Sequence, residues 1–260
     1  MKLWNQTIPY FNAEADTPNA LDLYLIDTDQ PRPCVVIFPG GAYKGRASHE
    51  GINIAQFFNT RGMHAVVCQY RVTPNYHPAP LSDAQRAIRL VRANATEWKI
   101  DPNRVVTCGF SAGGHLCAST LVLPDAYSES YPADEIDRED CRPNGGILGY
   151  PVISVCDDFG HVRSGKNLLG DRYEAEKERL CLTQYITEQT PPVFFWHTSN
   201  DDVNVKNSLT FAEGLRDCNV PFEMHIFPLG PHGLGIPSKE KYPDIYKWAD
   251  LAADWIEKNI

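Results

Sequence analysis

Three short apolar runs mark the first half of the chain, at residues 34–38, 65–70 and 105–110. Each is rich in β-branched residues and stops at a glycine, a proline or a polar turn, the punctuation of a strand. None shows the polar alternation of a half-exposed strand, so both faces are expected to be covered, as in a parallel sheet between helices. Between the second and third runs, Ser82-Asp83-Ala84-Gln85 reads as a capping box. Ala84, Ala87, Ile88, Val91 and Ala95 then stack on one helical face that ends near Trp98, ahead of Asp101-Pro102. The second half continues the alternation: residues 146–150 and 193–198 read as strands, 207–217 as a helix, 222–227 as a strand and 242–258 as an amphipathic helix. Strand and helix taking turns this often predict an α/β fold, a doubly wound, mostly parallel sheet flanked by helices, in a single domain over residues 1–260.

Two stretches interrupt the rhythm. Residues 124–143 carry Asp125, Glu129, Asp134, Glu135, Asp137, Glu139 and Asp140, which reads as a solvated acidic loop. Residues 155–190 form a second long connection, and connections of that length in a compact domain are usually functional or mobile.

Composition narrows the function more by exclusion than by suggestion. Over 260 residues, 43% hydrophobic and 22% charged residues are ordinary globular usage and exclude wholesale disorder. Lys plus Arg number 24 against 33 Asp plus Glu, and the net charge of -9 repels a phosphate backbone, so no nucleic-acid partner is expected. No apolar run approaches the roughly 18 residues of a membrane span, so no membrane association is expected either. The start of the sequence has no apolar signal core or small-residue cleavage site, which predicts a cytoplasmic protein. Eight cysteines without a Cys-x-x-Cys pair, several of them inside strand-like runs (Cys34, Cys68, Cys108), read as reduced thiols of a cytosolic core. No histidine, cysteine or carboxylate spacing suggests a metal, and no glycine pattern suggests a phosphate cradle, so no cofactor is expected.

The segment richest in chemistry is Gly109-Phe110-Ser111-Ala112-Gly113-Gly114, between the third apolar run and a helix-like stretch at 115–123. A serine at a tight strand-to-helix turn is forced toward positive φ, and small neighbours two residues either side let the backbone pass. Its hydroxyl attacks poorly unless a base takes the proton, so a histidine and an orienting acid should follow. His225 falls inside a strand, whereas His232 lies in Gly230-Pro231-His232-Gly233, just beyond it, and is the candidate base. The acid should follow the preceding strand, where Asp201 and Asp202 both stand; Asp201 is preferred and Asp202 stays in competition. Oxyanion donors are expected from the Ala112 N–H and from Gly41 and Ala42 in the turn Pro39-Gly40-Gly41-Ala42-Tyr43. His115 and His197 read as structural histidines, and Tyr43 as either a packing aromatic or a substrate contact.

Together these segments resemble the α/β-hydrolase fold esterases, in particular the carboxylesterase and acetyl-xylan-esterase-like branch related to hormone-sensitive lipase. The similarity extends to Tyr70-Arg71-Val72, Pro78-Ala79-Pro80-Leu81-Ser82-Asp83, Ile100-Asp101-Pro102-Asn103-Arg104, Asn167-Leu168-Leu169-Gly170 and Phe227-Pro228-Leu229-Gly230-Pro231-His232-Gly233, in the expected order. It implies an α/β-hydrolase fold with a minimal lid, a triad of Ser111, Asp201 and His232, and a small-molecule ester as substrate. That substrate is a short-chain acyl ester, acetyl foremost, of plant cell-wall carbohydrates such as acetylated xylo-oligosaccharides. An amidase, arylformamidase or peptidase using the same triad is the alternative, as is a non-catalytic ligand-binding relative. Two departures stand out. The lipase-like His-Gly-Gly-Gly reads Pro39-Gly40-Gly41-Ala42, and the Asp-x-x-Val-Pro of relatives reads Asp201-Asp202-Val203-Asn204-Val205.

Overall fold

Runs that are apolar on both sides settle in the middle of one seven-stranded sheet. The computed structural model describes residues 1–5, 7–15, 18–124 and 133–260. Its strands are β1 (Leu21–Tyr24), β2 (Arg32–Phe38), β3 (His64–Cys68), β4 (Ile100–Phe110), β5 (Gly145–Gly149), β6 (Val193–Thr198) and β7 (Phe222–Phe227). They lie in the order β1-β3-β2-β4-β5-β6-β7, with β1 antiparallel to β3 and all other pairings parallel. The helices are α1 (Ile52–Thr60), α2 (Ala79–Ala93), α3 (Ala95–Trp98), α4 (Ala112–Val122), α5 (Val162–Leu169), α6 (Tyr173–Glu176), α7 (Lys206–Asp217) and α8 (Pro243–Asn259).

Successive side chains of β2 point to opposite faces, and each face meets its own helices. Val36 and Phe38 pack with Leu81 and Ile88 of α2, Leu116 of α4 and Phe211 of α7. Val35 and Ile37 pack with Phe58 of α1 and Trp248 and Ile256 of α8. This double cover is why the central strands lack polar alternation. The outer strand β7 is partly exposed, and β1 has only four residues, too few and too polar to stand out in the sequence. No helix among the described residues is long and apolar enough to cross a membrane.

Several sequence expectations need correction. The capping box fails: α2 begins at Ala79, with Pro80 in its first turn, and Ser82 lies inside it, its hydroxyl donating to the Ala79 carbonyl at 2.9 Å. Asp83 is drawn away from any capping role by the buried guanidinium of Arg71, whose Nε and Nη2 each donate to the carboxylate at 2.8 Å. Of the acidic stretch, Asp125 and Glu129 lie outside the described residues, and Asp134 and Asp137 are not freely solvated. They pair with the buried Arg86 at 2.6 and 3.1 Å, clamping the segment to α2. Residues 155–190 are no open loop but a chain of short helical turns that bury Leu168, Leu169, Tyr173, Leu180 and Leu182. The reading of all eight cysteines as thiols is also overturned at one pair, because this same folded segment brings Cys156 and Cys181 together in a disulfide; the other six form no disulfide among the described residues.

Candidate active site

Ser111 joins β4 directly to α4 with φ 54° and ψ −120°, a conformation that costs a non-glycine residue about 1–3 kcal/mol and persists only when its surroundings impose it. Those surroundings are specific. The Ser111 N–H donates to the Gly149 carbonyl at 3.1 Å, and its own carbonyl accepts the Val152 N–H at 2.9 Å. The flanking glycines are required by contact: a Cβ on Gly109 would lie 2.1 Å from the Gly113 carbonyl oxygen, and one on Gly113 would lie 2.1 Å from that of Phe38.

The structure brings Ser111, His232 and Asp201 into one hydrogen-bonded line at the carboxyl ends of the strands. His232 Nε2 lies 2.8 Å from Ser111 Oγ, and Nδ1 lies 2.7 Å from Asp201 Oδ1. A carboxylate only accepts, so the ring proton sits on Nδ1 and leaves Nε2 free to accept from the serine. Asp201 Oδ1 also accepts the Val203 N–H at 2.7 Å, which fixes the carboxylate plane. Asp202, the competitor, is exposed and lines the cavity rim instead. His197, read as structural, is fully buried beneath the acid: Nε2 donates to the Val203 carbonyl at 2.9 Å and Nδ1 accepts from Ser208 Oγ at 2.8 Å. Burial pushes its imidazole down to about 4, so it stays neutral. Its Nε2 stands 3.8 Å from Asp201 Oδ2, a buried oxygen with no hydrogen-bond partner among the described residues.

The turn after β2 is held by its carbonyls. The Gly40 oxygen accepts the Ala47 N–H at 2.9 Å, and the Gly41 oxygen accepts those of Lys44 and Gly45 at 2.9 and 3.2 Å. Ala42 O accepts Asn167 Nδ2 at 2.7 Å. In a trans peptide the N–H points opposite to the C=O, so anchoring the first two carbonyls aims the Gly41 and Ala42 N–H groups the other way. Neither donates to a protein acceptor among the described residues, and Ala112, first in α4, has no partner one turn earlier within the helix. Ala42, where the lipase-like motif has glycine, takes φ 52° and Tyr43 takes φ 55°. Tyr43 is buried and its hydroxyl donates to His115 Nδ1 at 2.9 Å, while His115 Nε2 donates to the Leu180 carbonyl at 2.9 Å. Both therefore pack the turn from behind, and neither lines the cavity beside Ser111.

Ser111 and His232 open into a cavity of about 500 Å3 whose walls include His49, Glu50, His161, Arg163 and Asp202. Burial, then the neighbouring His232 and Arg163, push the His161 imidazole below its ordinary value, and its Nδ1 lies 2.7 Å from Ser164 Oγ. Of these, His49, Glu50, His161 and Arg163 escaped sequence reasoning because each lies in a segment without a motif, whereas Asp202 was weighed as an acid and not as a wall residue. Asn167 alone carried a signal, in the Asn167-Leu168-Leu169-Gly170 string. Among groups able to hold a metal, Cys156, Asp157 and Cys181 converge, but the two sulfurs are spent on each other.

A family model described as BD-FAE matches residues 21–215. Endo-1,4-beta-xylanase B of Butyrivibrio fibrisolvens is 38% identical over 88% of this chain and 37% of its own length. The acetylxylan esterase of Xylanibacter ruminicola is 32% identical over 81% of this chain and 42% of its own. The chain thus spans about two fifths of the length of these curated relatives. Among solved structures, the acetyl ester-xyloside bifunctional hydrolase of Caldicellulosiruptor lactoaceticus superimposes with a TM-score of 0.91 at 42% identity, covering 99% of this chain and 94% of that one.

Proposed function

Starting from the fact that this chain belongs to the BD-FAE family of α/β-hydrolase esterases, we propose that it removes short acyl groups, acetyl foremost, from acylated xylo-oligosaccharides by a Ser-His-Asp acyl-enzyme mechanism. The observation that carries this reading is the continuous line from Asp201 through His232 to Ser111 at the floor of an open cavity with both polar and apolar walls. Ser111 Oγ attacks the ester carbonyl while its proton passes to His232 Nε2. Asp201 keeps the imidazole in the Nδ1–H tautomer and stabilises the imidazolium that forms. The N–H groups of Gly41, Ala42 and Ala112 receive the oxyanion. The imidazolium then protonates the departing alcohol, and water, deprotonated by the same nitrogen, releases the acid.

The cavity walls favour a hydroxylated leaving group. His49, His161, Arg163 and Asp202 offer donors and acceptors that a hydrocarbon would leave desolvated and unpaired. The xylan-directed relatives point the same way. The test is a parallel assay of an aryl acetate, longer aryl acyl esters, an acetylated xylo-oligosaccharide and N-formylkynurenine, with fluorophosphonate labelling of Ser111. Expected are labelling, release of acetate from the sugar, and a rate that falls as the acyl chain lengthens. Amide cleavage without ester cleavage overturns the reading in favour of an amidase, and absence of labelling with tight ligand binding overturns it in favour of a binding protein.

A further inference from the structure

One buried carboxylate at this site has no part in the steps above. Glu50, 2% exposed, ends the single turn of three-ten helix Ser48–Glu50 beside the cavity. Among the described residues only neutral donors hold it. Its Oε2 accepts the Gly40 N–H at 2.7 Å, and its Oε1 accepts the Tyr150 hydroxyl at 2.5 Å. Burying a carboxylate without a cation is costly, and packing alone would be better served by an apolar side chain. The two contacts explain what the charge accomplishes, because both neighbours are donors and only an ionised carboxylate presents acceptors at both ends.

Each contact leads to a different part of the site. Gly40 opens the oxyanion turn, and its N–H, once given to Glu50, is unavailable to substrate. A Cβ on Gly40 would stand 2.7 Å from Glu50 Oε2 and 3.0 Å from Ser111 Cβ, so the missing side chain is what lets the carboxylate reach in behind the nucleophile. On the other side, the Tyr150 oxygen accepts the Gly235 N–H at 2.8 Å, three residues past His232. The Tyr150 ring stands edge-on to the His232 ring with centroids 4.9 Å apart. Burial, reinforced by the Glu50 charge, keeps the Tyr150 phenol protonated and able to donate.

We propose that Glu50 is a positioning residue which, through Tyr150, locks the oxyanion turn and the histidine loop into one rigid frame around Ser111. This rests on the esterase reading for its kinetic consequence but not for its structural one. Oxyanion donors lose their value when displaced by a fraction of an ångström, whereas ground-state binding tolerates such shifts.

The experiment compares wild type, Glu50→Gln, Tyr150→Phe and the double variant, with Ser111→Ala as the control for the esterase reading itself. With an aryl acetate, Glu50→Gln is expected to lower kcat by roughly 10- to 100-fold and Tyr150→Phe by roughly 10-fold, with KM within about 2-fold for both. The double variant should fall no further than Glu50→Gln alone, because both cut the same link. Inhibition by a boronic acid, a tetrahedral mimic, should weaken by the factor lost from kcat/KM. In parallel, ¹⁵N-glycine labelling reads amide exchange at Gly40 and Gly235, which needs no turnover. Either single variant should speed exchange at both amides. Additive kinetic losses, a loss carried by KM, or exchange that changes only at the amide nearer the substitution overturns the proposal. Wild-type protein inert toward every ester overturns the esterase reading instead, and the exchange data then decide the frame by themselves.

Discussion

Two buried carboxylates, Asp83 within α2 and Asp201 just beyond the carboxyl end of β6, are used in opposite ways. Asp83 spends every lone pair: Oδ1 accepts Trp4 Nε1 and Arg71 Nη2, both at 2.8 Å, and Oδ2 accepts the Arg71 backbone N–H and Nε at 2.9 and 2.8 Å. Arg71 is equally spent, its Nη1 donating to the Pro9 carbonyl at 2.6 Å. Asp201 holds back. Among the described residues, one oxygen serves Val203 and His232 and the other has no partner, and the site around it keeps the donors of Gly41, Ala42 and Ala112 unengaged and Ser111 at a strained φ. Satisfied hydrogen bonding marks a group that holds structure together, and reserved capacity marks one poised to act on something not yet bound.

The contrast can be broken most sharply at the nucleophile. Ser111→Ala is expected to lower kcat by roughly 10⁴- to 10⁶-fold with an unchanged melting temperature. A variant that turns over near normally removes Ser111 from the mechanism. Next is Asp201→Asn, expected to lose roughly 10⁴-fold in kcat through the wrong imidazole tautomer. Its melting temperature should hold or rise, since the change removes a buried charge that no cation faces among the described residues. Asp202→Asn should cost only a few-fold; equal losses at the two positions would undo the assignment of the acid. Asp83→Asn should behave inversely, costing about 3–5 kcal/mol of stability by stranding Arg71 while the folded fraction keeps its kcat. Denaturant titration alongside kinetics separates the two patterns.

The smallest effect is acid sensitivity. Burial pushes His77 down to about 3, and His115 and His197 down to about 4, from an ordinary 6.5. The unfolded chain therefore binds protons below about pH 6.5 that the folded chain refuses, so stability present at neutral pH is lost as pH falls from 6.5 toward 4. Calorimetry across that window should show a steady decline in melting temperature, and His115→Gln should make it shallower. A slope that His115→Gln leaves unchanged would mean carboxylates govern the acid limb.

Much of this was legible in the chain. The runs at 34–38 and 105–110 announced covered strands because both of their faces are apolar, and Gly109 and Gly113 announced the turn at Ser111 because their spacing leaves room for backbone. His232 followed from its place beyond β7. The misses share a cause as well. Ser82 looked like a cap because its local string fits one, but the partner that claims Asp83, Arg71, is twelve residues away and on another segment. Cys156 and Cys181 looked like thiols until an irregular segment folded them together. Glu50 gave no signal, since its two partners come from positions 40 and 150.

What the chain alone determined is whatever a few consecutive residues can encode: periodicity, strand ends, the glycine spacing around a strained serine, and hence the fold class and two members of the site. What only the tertiary structure decided is direction and partnership. Asp201 rather than Asp202 meets His232, the carbonyls of the turn after β2 are pinned so that its N–H groups point away from them, and a lone carboxylate bridges that turn to the histidine loop. These depend on side-chain orientations set by contacts many tens of residues apart, and such orientations exist only once the sheet has brought the strand ends to one rim.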